Sequence, residues 1–334
     1  MRAAVLGAGS WGTTFAQVLC DAGTRTVLYS RRPELAKALS DLHENPDYLP
    51  GIELTPALEA TADPAEALAD ADLVAFAVPA QSLRTNLIAW AAMIPSGALL
   101  VSLIKGIELG SCKRMTEVIV EVLDADADRV AVVAGPNLAG EIIRRQFTAA
   151  VVACACETGA LALQGACHTP YLRPYTNTDV TGCELGGTVK NVIAIAVGIA
   201  VAMGLGDNTK ATLITRGLAE ISRLGTALGA HPQTFAGLAG MGDLVATCSS
   251  PLSRNRTFGE NLGRGMSVAQ AAAALSQTAE GVASCGPVLE LAQARGVEMP
   301  ITEVVESVMR DGLPVTQAAS MLASRSAKPE WYGP

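Results

Sequence analysis

Three features of this chain are spaced for chemistry: glycines that turn a strand tightly into a helix, lysines in a sequence that otherwise prefers arginine, and a late Ser-Arg-Asn run. The first is Gly7-x-Gly9-x-x-Gly12, which follows the apolar run Ala3-Ala4-Val5-Leu6 and opens a helical pattern through Cys20. Such glycines let the backbone approach a diphosphate, with the helix N-terminus supplying N–H donors and the positive end of its dipole. The pattern alone also describes a plain tight turn. Its place between a strand and a helix points to a dinucleotide. About twenty residues on, where an NAD-selective site carries Asp or Glu for the ribose hydroxyls, the run Thr26-Val27-Leu28-Tyr29 ends in Ser30-Arg31-Arg32. Two guanidiniums suit a 2′-phosphate, which favours NADP(H) with NAD(H) also admitted; the alternative is a solvated pair heading the next helix.

The chain has only six lysines, Lys37, Lys105, Lys113, Lys190, Lys210 and Lys328. Two of them sit in contexts that ask for a reason. Lys105 lies in Ile104-Lys105-Gly106, and Lys190 lies in Glu184-Leu185-Gly186-Gly187-Thr188-Val189-Lys190-Asn191, just ahead of a long apolar helix. An amine entering a buried helix is costly unless paired or functional. Lysine can carry a proton, and its pKa falls when it is desolvated or crowded by cations, so Lys190 is a candidate general acid and base. The competing reading is a surface residue at a helix start. Gly240-Met241-Gly242-Asp243-Leu244 offers one carboxylate, either a helix cap or an orienting partner for Lys190. Ser253-Arg254-Asn255-Arg256 combines guanidinium, hydroxyl and amide beside a helix start, which suits a phosphate dianion; an exposed basic loop is the alternative.

These residues need elements to hold them. The first half alternates short apolar runs with helical segments, the pattern of an open parallel sheet with helices on both faces, a Rossmann-type doubly wound α/β domain. Expected strands are Ala3 to Leu6, Thr26 to Tyr29, Leu73 to Val78, Leu99 to Ile104, Val130 to Val133 and Ala149 to Ala153. Ligands of such sheets lie outside the carboxyl ends of the strands. There the chain carries Val78-Pro79-Ala80, Ile104-Lys105-Gly106 and Gly135-Pro136-Asn137. After Asp179 Ala-, Leu- and Gly-rich helical segments take over, so residues 1–185 read as the dinucleotide domain and 186–334 as an all-α substrate domain. Helix starts are expected at Ser267 and at Thr302 with Glu303. Ser324 to Pro334 reads as a loose tail.

Composition narrows the function. A chain of 334 residues is long enough for two domains. A net charge of -8 and aromatics at 4% argue against nucleic-acid binding. The eight cysteines include no C-x-x-C pair, and with only His43, His168 and His231 beside them no metal site is expected. They read as small buried hydrophobes in a reducing compartment, with Cys154 and Cys156 on one face of a strand. The longest apolar stretch, Val192 to Leu205, is shorter than the roughly eighteen to twenty residues of a membrane span and reads as a buried helix. No secretory signal is evident ahead of the first strand, and a cytoplasmic location is expected.

The combination Gly7-Ala8-Gly9-Ser10-Trp11-Gly12-Thr13, Ser30-Arg31-Arg32, Lys105-Gly106, Gly135-Pro136, Glu184 to Asn191, Gly242-Asp243-Leu244 and Ser253-Arg254-Asn255 resembles the bacterial NAD(P)-dependent glycerol-3-phosphate dehydrogenases, in order along nearly the whole chain. The Lys190 and Ser253 segments are the specific part. The resemblance implies reduction of dihydroxyacetone phosphate to sn-glycerol 3-phosphate, the backbone precursor of phospholipids, with NADPH or NADH. It implies Lys190 as the acid and base. Lys105, Gly135, Asn137, Asp243, Ser253, Arg254 and Asn255 would join it around substrate. Gly7, Gly9, Ser10, Trp11, Gly12, Arg31, Arg32, Lys105, Ala139, Arg254, Thr278 and Glu280 would contact the cofactor. It also favours a homodimer. Two positions depart from the family pattern: Asn137 stands where serine is usual, though it can still donate to a substrate oxygen, and Thr278-Ala279 replaces Val-Val. A hydroxyacid or sugar-acid dehydrogenase of similar architecture, and a non-catalytic NADP(H) sensor, are the competing readings.

Overall fold

The computed structural model describes residues 1–275, 277–326 and 329–330. The chain forms two compact units, 1–105 with 113–184, and 106–112 with 185–334. The excursion 106–112, whose Ile107 is buried in the core of the second unit, has no compositional signal and is absent from the single boundary drawn on sequence.

The first unit is built on an eight-stranded sheet of order β10-β9-β8-β7-β6-β1-β2-β5. Its strands are β1 (Arg2–Leu6), β2 (Arg25–Tyr29), β5 (Glu59–Thr61), β6 (Leu73–Phe76), β7 (Leu99–Ser102), β8 (Val130–Ala134), β9 (Thr148–Cys154) and β10 (Leu172–Asn177). A separate hairpin pairs β3 (Glu44–Asn45) with β4 (Leu49–Glu53). Side chains alternate across the sheet. Ala3 and Val5 face a core with Phe15 and Leu19 of the helix Ser10–Asp21, whereas Ala4 and Leu6 face Leu83, Leu87 and Trp90 on the other side. Strands buried on both faces need apolar residues at every position, which is why β1 and β6 read as continuous apolar runs. Chain order reverses between β1 and β6, so the turn after Leu6 sits at the topological switch point.

Some expectations are corrected. The sheet is mixed rather than wholly parallel, because β8 and β9 are antiparallel. The strand expected to reach Ile104 stops at Ser102, whose hydroxyl accepts the Ile104 N–H at 3.3 Å and turns the backbone out of the ladder. The strand expected to reach Val78 ends at Phe76, ahead of Pro79. Cys154 closes β9, but Cys156 lies beyond it at the cap of the next helix, so the two do not share a strand face. The edge strands β5 and β10 went unseen in the sequence: one has three residues, and the other carries Arg173 and Pro174, which an edge tolerates.

The second unit is helical. The helix Val180–Ala202, of which 185–202 belong to this unit, starts well before the apolar stretch noted in the sequence. By length and composition it could cross a membrane, yet 89% of its most apolar window is buried inside the protein. Lys190 therefore sits within the helix and not at its start. The helix Arg254–Gly263 lies close enough that a Cβ at Gly259 would come within 2.1 Å of the Ile195 carbonyl oxygen, and one at Gly198 within 2.1 Å of that of Arg256. That approach fixes where the Ser253-Arg254-Asn255 segment stands relative to Lys190. Ser267 caps its helix as expected, with Gln270 completing a capping box. The expected start at Thr302 is corrected to Pro300. In the tail, residues 327–328 and 331–334 lie outside the described residues.

Thr302 has a different task. The residue preceding this helix, Met299, has no side chain that could cap it, and the buried Glu220 of the helix Asp207–Ala227 does so instead. It accepts the Ile301 N–H at 2.7 Å, the Thr302 N–H at 3.2 Å and the Thr302 hydroxyl at 3.0 Å. Burial pushes its carboxyl up to about 7, against the opposing pull of these donors and Arg223. A carboxyl whose folded pKa is raised favours the folded state at low pH, and stability falls as pH rises from the unfolded value towards the folded one. Stability should thus decline by up to about 3 kcal/mol between roughly pH 4.5 and 7 through this group. In Glu220→Gln that part of the slope should vanish, as read by denaturant unfolding across the same pH range.

Candidate active site

The first unit holds the residues that the sequence assigns to a dinucleotide. Gly7, at φ 124°, takes a backbone conformation that favours glycine, and a Cβ there would lie 2.5 Å from the Ala77 carbonyl oxygen. A Cβ at Gly12 would lie 1.9 Å from the Gly7 oxygen, whereas one at Gly9 would meet nothing within 4 Å. Two glycines close the turn and the third leaves its outer surface open, which fits a diphosphate. Among the described residues no side chain caps the helix Ser10–Asp21, and its first turn carries no acid. Its N-terminal dipole is thus uncompensated locally. The indole N–H of Trp11 is buried without a protein partner among the described residues.

The hairpin β3–β4 braces this turn. The buried Asn45 donates from Nδ2 to the Ala8 carbonyl at 3.0 Å and to Thr13 Oγ1 at 2.8 Å, while its Oδ1 accepts the Tyr48 N–H at 3.2 Å. Ser10 Oγ donates to the Tyr48 carbonyl at 3.2 Å. Just beyond β2, Arg31 is exposed and Arg32 stands at the N-cap position of the short helix Pro33–Lys37, with no side-chain bond to it. Sequence reasoning missed the hairpin, although Asn45-Pro46-Asp47 is a turn signal.

The loops after β7 and β8 are tied together by Lys105, whose Nζ donates to the Gly135 carbonyl at 3.0 Å. Asn137 donates to the Ala134 carbonyl at 3.1 Å. Its Oδ1 is buried with no partner among the described residues. Asn137 thus offers an acceptor as well as the second N–H of its amide. Ala139 opens the helix Ala139–Ile142.

The second unit brings Lys190, Asp243 and Thr247 together. Lys190 and Asp243 form a salt bridge with side chains 6% and 1% exposed, and Lys190 Nζ also donates to Thr247 Oγ1 at 2.6 Å. Asp243 begins the helix Asp243–Ser249, and Thr247 lies one turn further on the same face. Thr247 was missed in the sequence, although its i+4 spacing from Asp243 was a usable signal. Glu184, by contrast, serves structure: it accepts from the Thr116 N–H at 2.9 Å and from Arg114 Nη1 at 2.6 Å. Its burial raises the carboxyl above the usual range, and Arg114 and Thr116 oppose that rise.

Ser253 caps the helix Arg254–Gly263, its Oγ accepting the Arg256 N–H at 3.3 Å. Arg254 is exposed and donates to Gln277 Oε1 at 3.3 Å. Asn255 is buried and accepts the Gly281 N–H at 2.9 Å through Oδ1, which fixes the start of the helix Glu280–Ala294. Thr278 is exposed in the loop just before it. The eight cysteines are free, and no cluster among the described residues has the groups to hold a metal ion.

Residues 2–160 match the model of the NAD-dependent glycerol-3-phosphate dehydrogenase N-terminus, and residues 179–320 match that of its C-terminus. The chain belongs to the NAD-dependent glycerol-3-phosphate dehydrogenase family. It is accordingly an NAD(P)-dependent oxidoreductase. It is 63% identical to a glycerol-3-phosphate dehydrogenase [NAD(P)+] of Thermobifida fusca, covering 99% of each chain. With a Mycobacterium tuberculosis relative named glycerol-3-phosphate dehydrogenase [NAD(P)+] 2, identity is 55% over 98% of each. The fold is similar to a crystal structure of glycerol-3-phosphate dehydrogenase from Coxiella burnetii, with TM-score 0.92, 35% identity and coverage of 97% of this chain and 99% of that one.

Removing one partner of a buried ion pair strands the other. Asp243→Ala should therefore destabilise the second unit by about 3–5 kcal/mol. In Lys190→Met with Asp243→Leu, where both charges give way to apolar groups, most of that loss should return. Urea unfolding of the three proteins measures both; an equal loss in single and double variants would count against a stranded charge.

Proposed function

We propose that this protein interconverts dihydroxyacetone phosphate and sn-glycerol 3-phosphate, with Lys190 as the proton donor to the C2 oxygen in reduction and the acceptor in oxidation. The observation that carries the proposal is the buried Lys190–Asp243–Thr247 cluster. The carboxylate of Asp243 stabilises the ammonium form, the acid that reduction requires, and together with Thr247 fixes the direction of Nζ. Positive charge beside the C2 oxygen also stabilises the alkoxide developing there. The bound nicotinamide supplies or accepts the hydride.

The remaining residues bind and orient. Arg254, the Ser253 hydroxyl and the Asn255 amide, at the start of a ten-residue helix, suit the phosphate dianion. Binding energy taken there, away from C2, positions the carbonyl. Lys105 and Gly135, already tied together, and the unpartnered acceptor of Asn137 suit the hydroxyls of substrate or a carboxamide N–H. The Gly7 to Gly12 turn, Ser10 and Trp11 suit the diphosphate end of the cofactor, and Arg31 with Arg32 a 2′-phosphate. Ala139, Thr278 and Glu280 complete the proposed cofactor set. The product feeds glycerophospholipid synthesis, and we extend the reading to a cytoplasmic homodimer, which light scattering at working concentration tests.

Lys190→Met strands Asp243 and should be less stable; the folded variant should still bind NADPH and lose at least about a hundredfold in turnover, the scale of acid and base catalysis. The measurement is NADPH consumption on adding dihydroxyacetone phosphate. Activity on hydroxyacids with none on this ketone would favour a different dehydrogenase, and NADPH binding without turnover would favour a sensor.

A further inference from the structure

The turn between β3 and β4 carries Asp47 and Tyr48 to Arg32, just beyond the end of β2. Asp47 Oδ2 lies 2.6 Å from Arg32 Nη2, with the two side chains 47% and 48% exposed. The guanidinium carbon of Arg32 lies 5.7 Å from the centre of the Tyr48 ring. The turn is not a free flap: Asn45 and Ser10 bond it to the glycine turn on both sides. Asp47 is thus held in place beside Arg32 by the same contacts that shape the diphosphate cradle.

Dinucleotide sites that take NAD place a carboxylate near the end of the second strand, where it accepts the ribose 2′-hydroxyl. This chain has arginines at that point in its sequence and brings a carboxylate to the same place from the hairpin. We propose that Asp47 is the ribose-recognising carboxylate of this site, and that Arg32 exchanges Asp47 for the 2′-phosphate when that group is present. One ion pair then reads both dinucleotides.

The exchange is physically reasonable because the pair is half exposed. Its ions remain partly hydrated, so the net free energy holding them together is small. A phosphate dianion accepting two guanidinium N–H bonds displaces a monoanionic carboxylate from such a pair. With a hydroxyl in place of the phosphate, Asp47 keeps Arg32 and has further acceptor capacity for the ribose. Tyr48 supports the guanidinium plane in both states. The inference rests on the assignment of Arg32 to the cofactor, so its test includes a separate check of that residue.

The experiment titrates the wild type, Asp47→Asn and Arg32→Ala with NADPH and with NADH in the absence of substrate, following cofactor fluorescence. In Asp47→Asn, affinity for NADH should fall and affinity for NADPH should rise, moving their ratio on the order of tenfold towards NADPH. A merely structural role for Asp47 would weaken both cofactors alike, and that result overturns the proposal, as does an unchanged ratio. Arg32→Ala should lose NADPH affinity. If it does and Asp47→Asn is flat, the exchange alone is wrong. If Arg32→Ala leaves NADPH binding intact, the assignment of Arg32 fails and the exchange fails with it.

Discussion

A primary amine in the middle of an apolar helix is the constraint around which the second unit is arranged. Lys190 lies well inside Val180–Ala202, among side chains that form the core. An isolated ammonium there would cost far more than any single packing contact returns. The chain answers with a carboxylate and a hydroxyl from one face of a second helix, four residues apart. The Ser253-Arg254-Asn255 segment is placed by the same central helix, through its glycine-lined contact with Arg254–Gly263. Packing and charge therefore share one scaffold: the helix that fills the core also carries the buried amine.

In the first unit the corresponding constraint is a backbone one. At the switch point of the sheet a turn must pass within contact of the Ala77 carbonyl and then start a helix at once, and only glycine fits at Gly7 and Gly12. The open side at Gly9 is what remains available to a ligand. Bracing this turn falls to Asn45, a fully buried amide that satisfies groups on three neighbours. A buried amide with its donors and acceptor all used is rigid, so the hairpin and the glycine turn behave as one piece.

Much of this was legible in the sequence because it rests on local rules. Strands buried on both faces declare themselves as apolar runs, and glycines in a strand-to-helix turn declare a backbone need. Lys190 stood out because a rare residue type occurred beside an apolar helix. The illegible parts are contacts between segments distant in the chain. Nothing local says that Glu220 caps a helix beginning eighty residues later, or that Asn45 reaches Ala8. The sequence puts Lys190 just ahead of an apolar helix, whereas the helix runs through it and through Gly186. A Cβ at Gly186 would lie 2.4 Å from the Ala239 carbonyl oxygen, so this glycine permits close packing inside a continuous helix.

Two lysine or arginine pairs with aspartate, Lys190 with Asp243 and Arg32 with Asp47, have similar chemistry and opposite surroundings. In a chain with a net charge of -8, each of these two cations has a carboxylate partner. Burial decides what the pairing does. With side chains 6% and 1% exposed, the Lys190 pair has no water to take either partner, and separating it would leave a bare charge in the core. Such a pair holds the amine in one orientation. The Arg32 pair is about half exposed, and water compensates each partner when they part. Separating it therefore costs far less than separating the buried pair. The same two residue classes thus give a fixed contact in the core and a loose one at the surface, distinguished by depth alone.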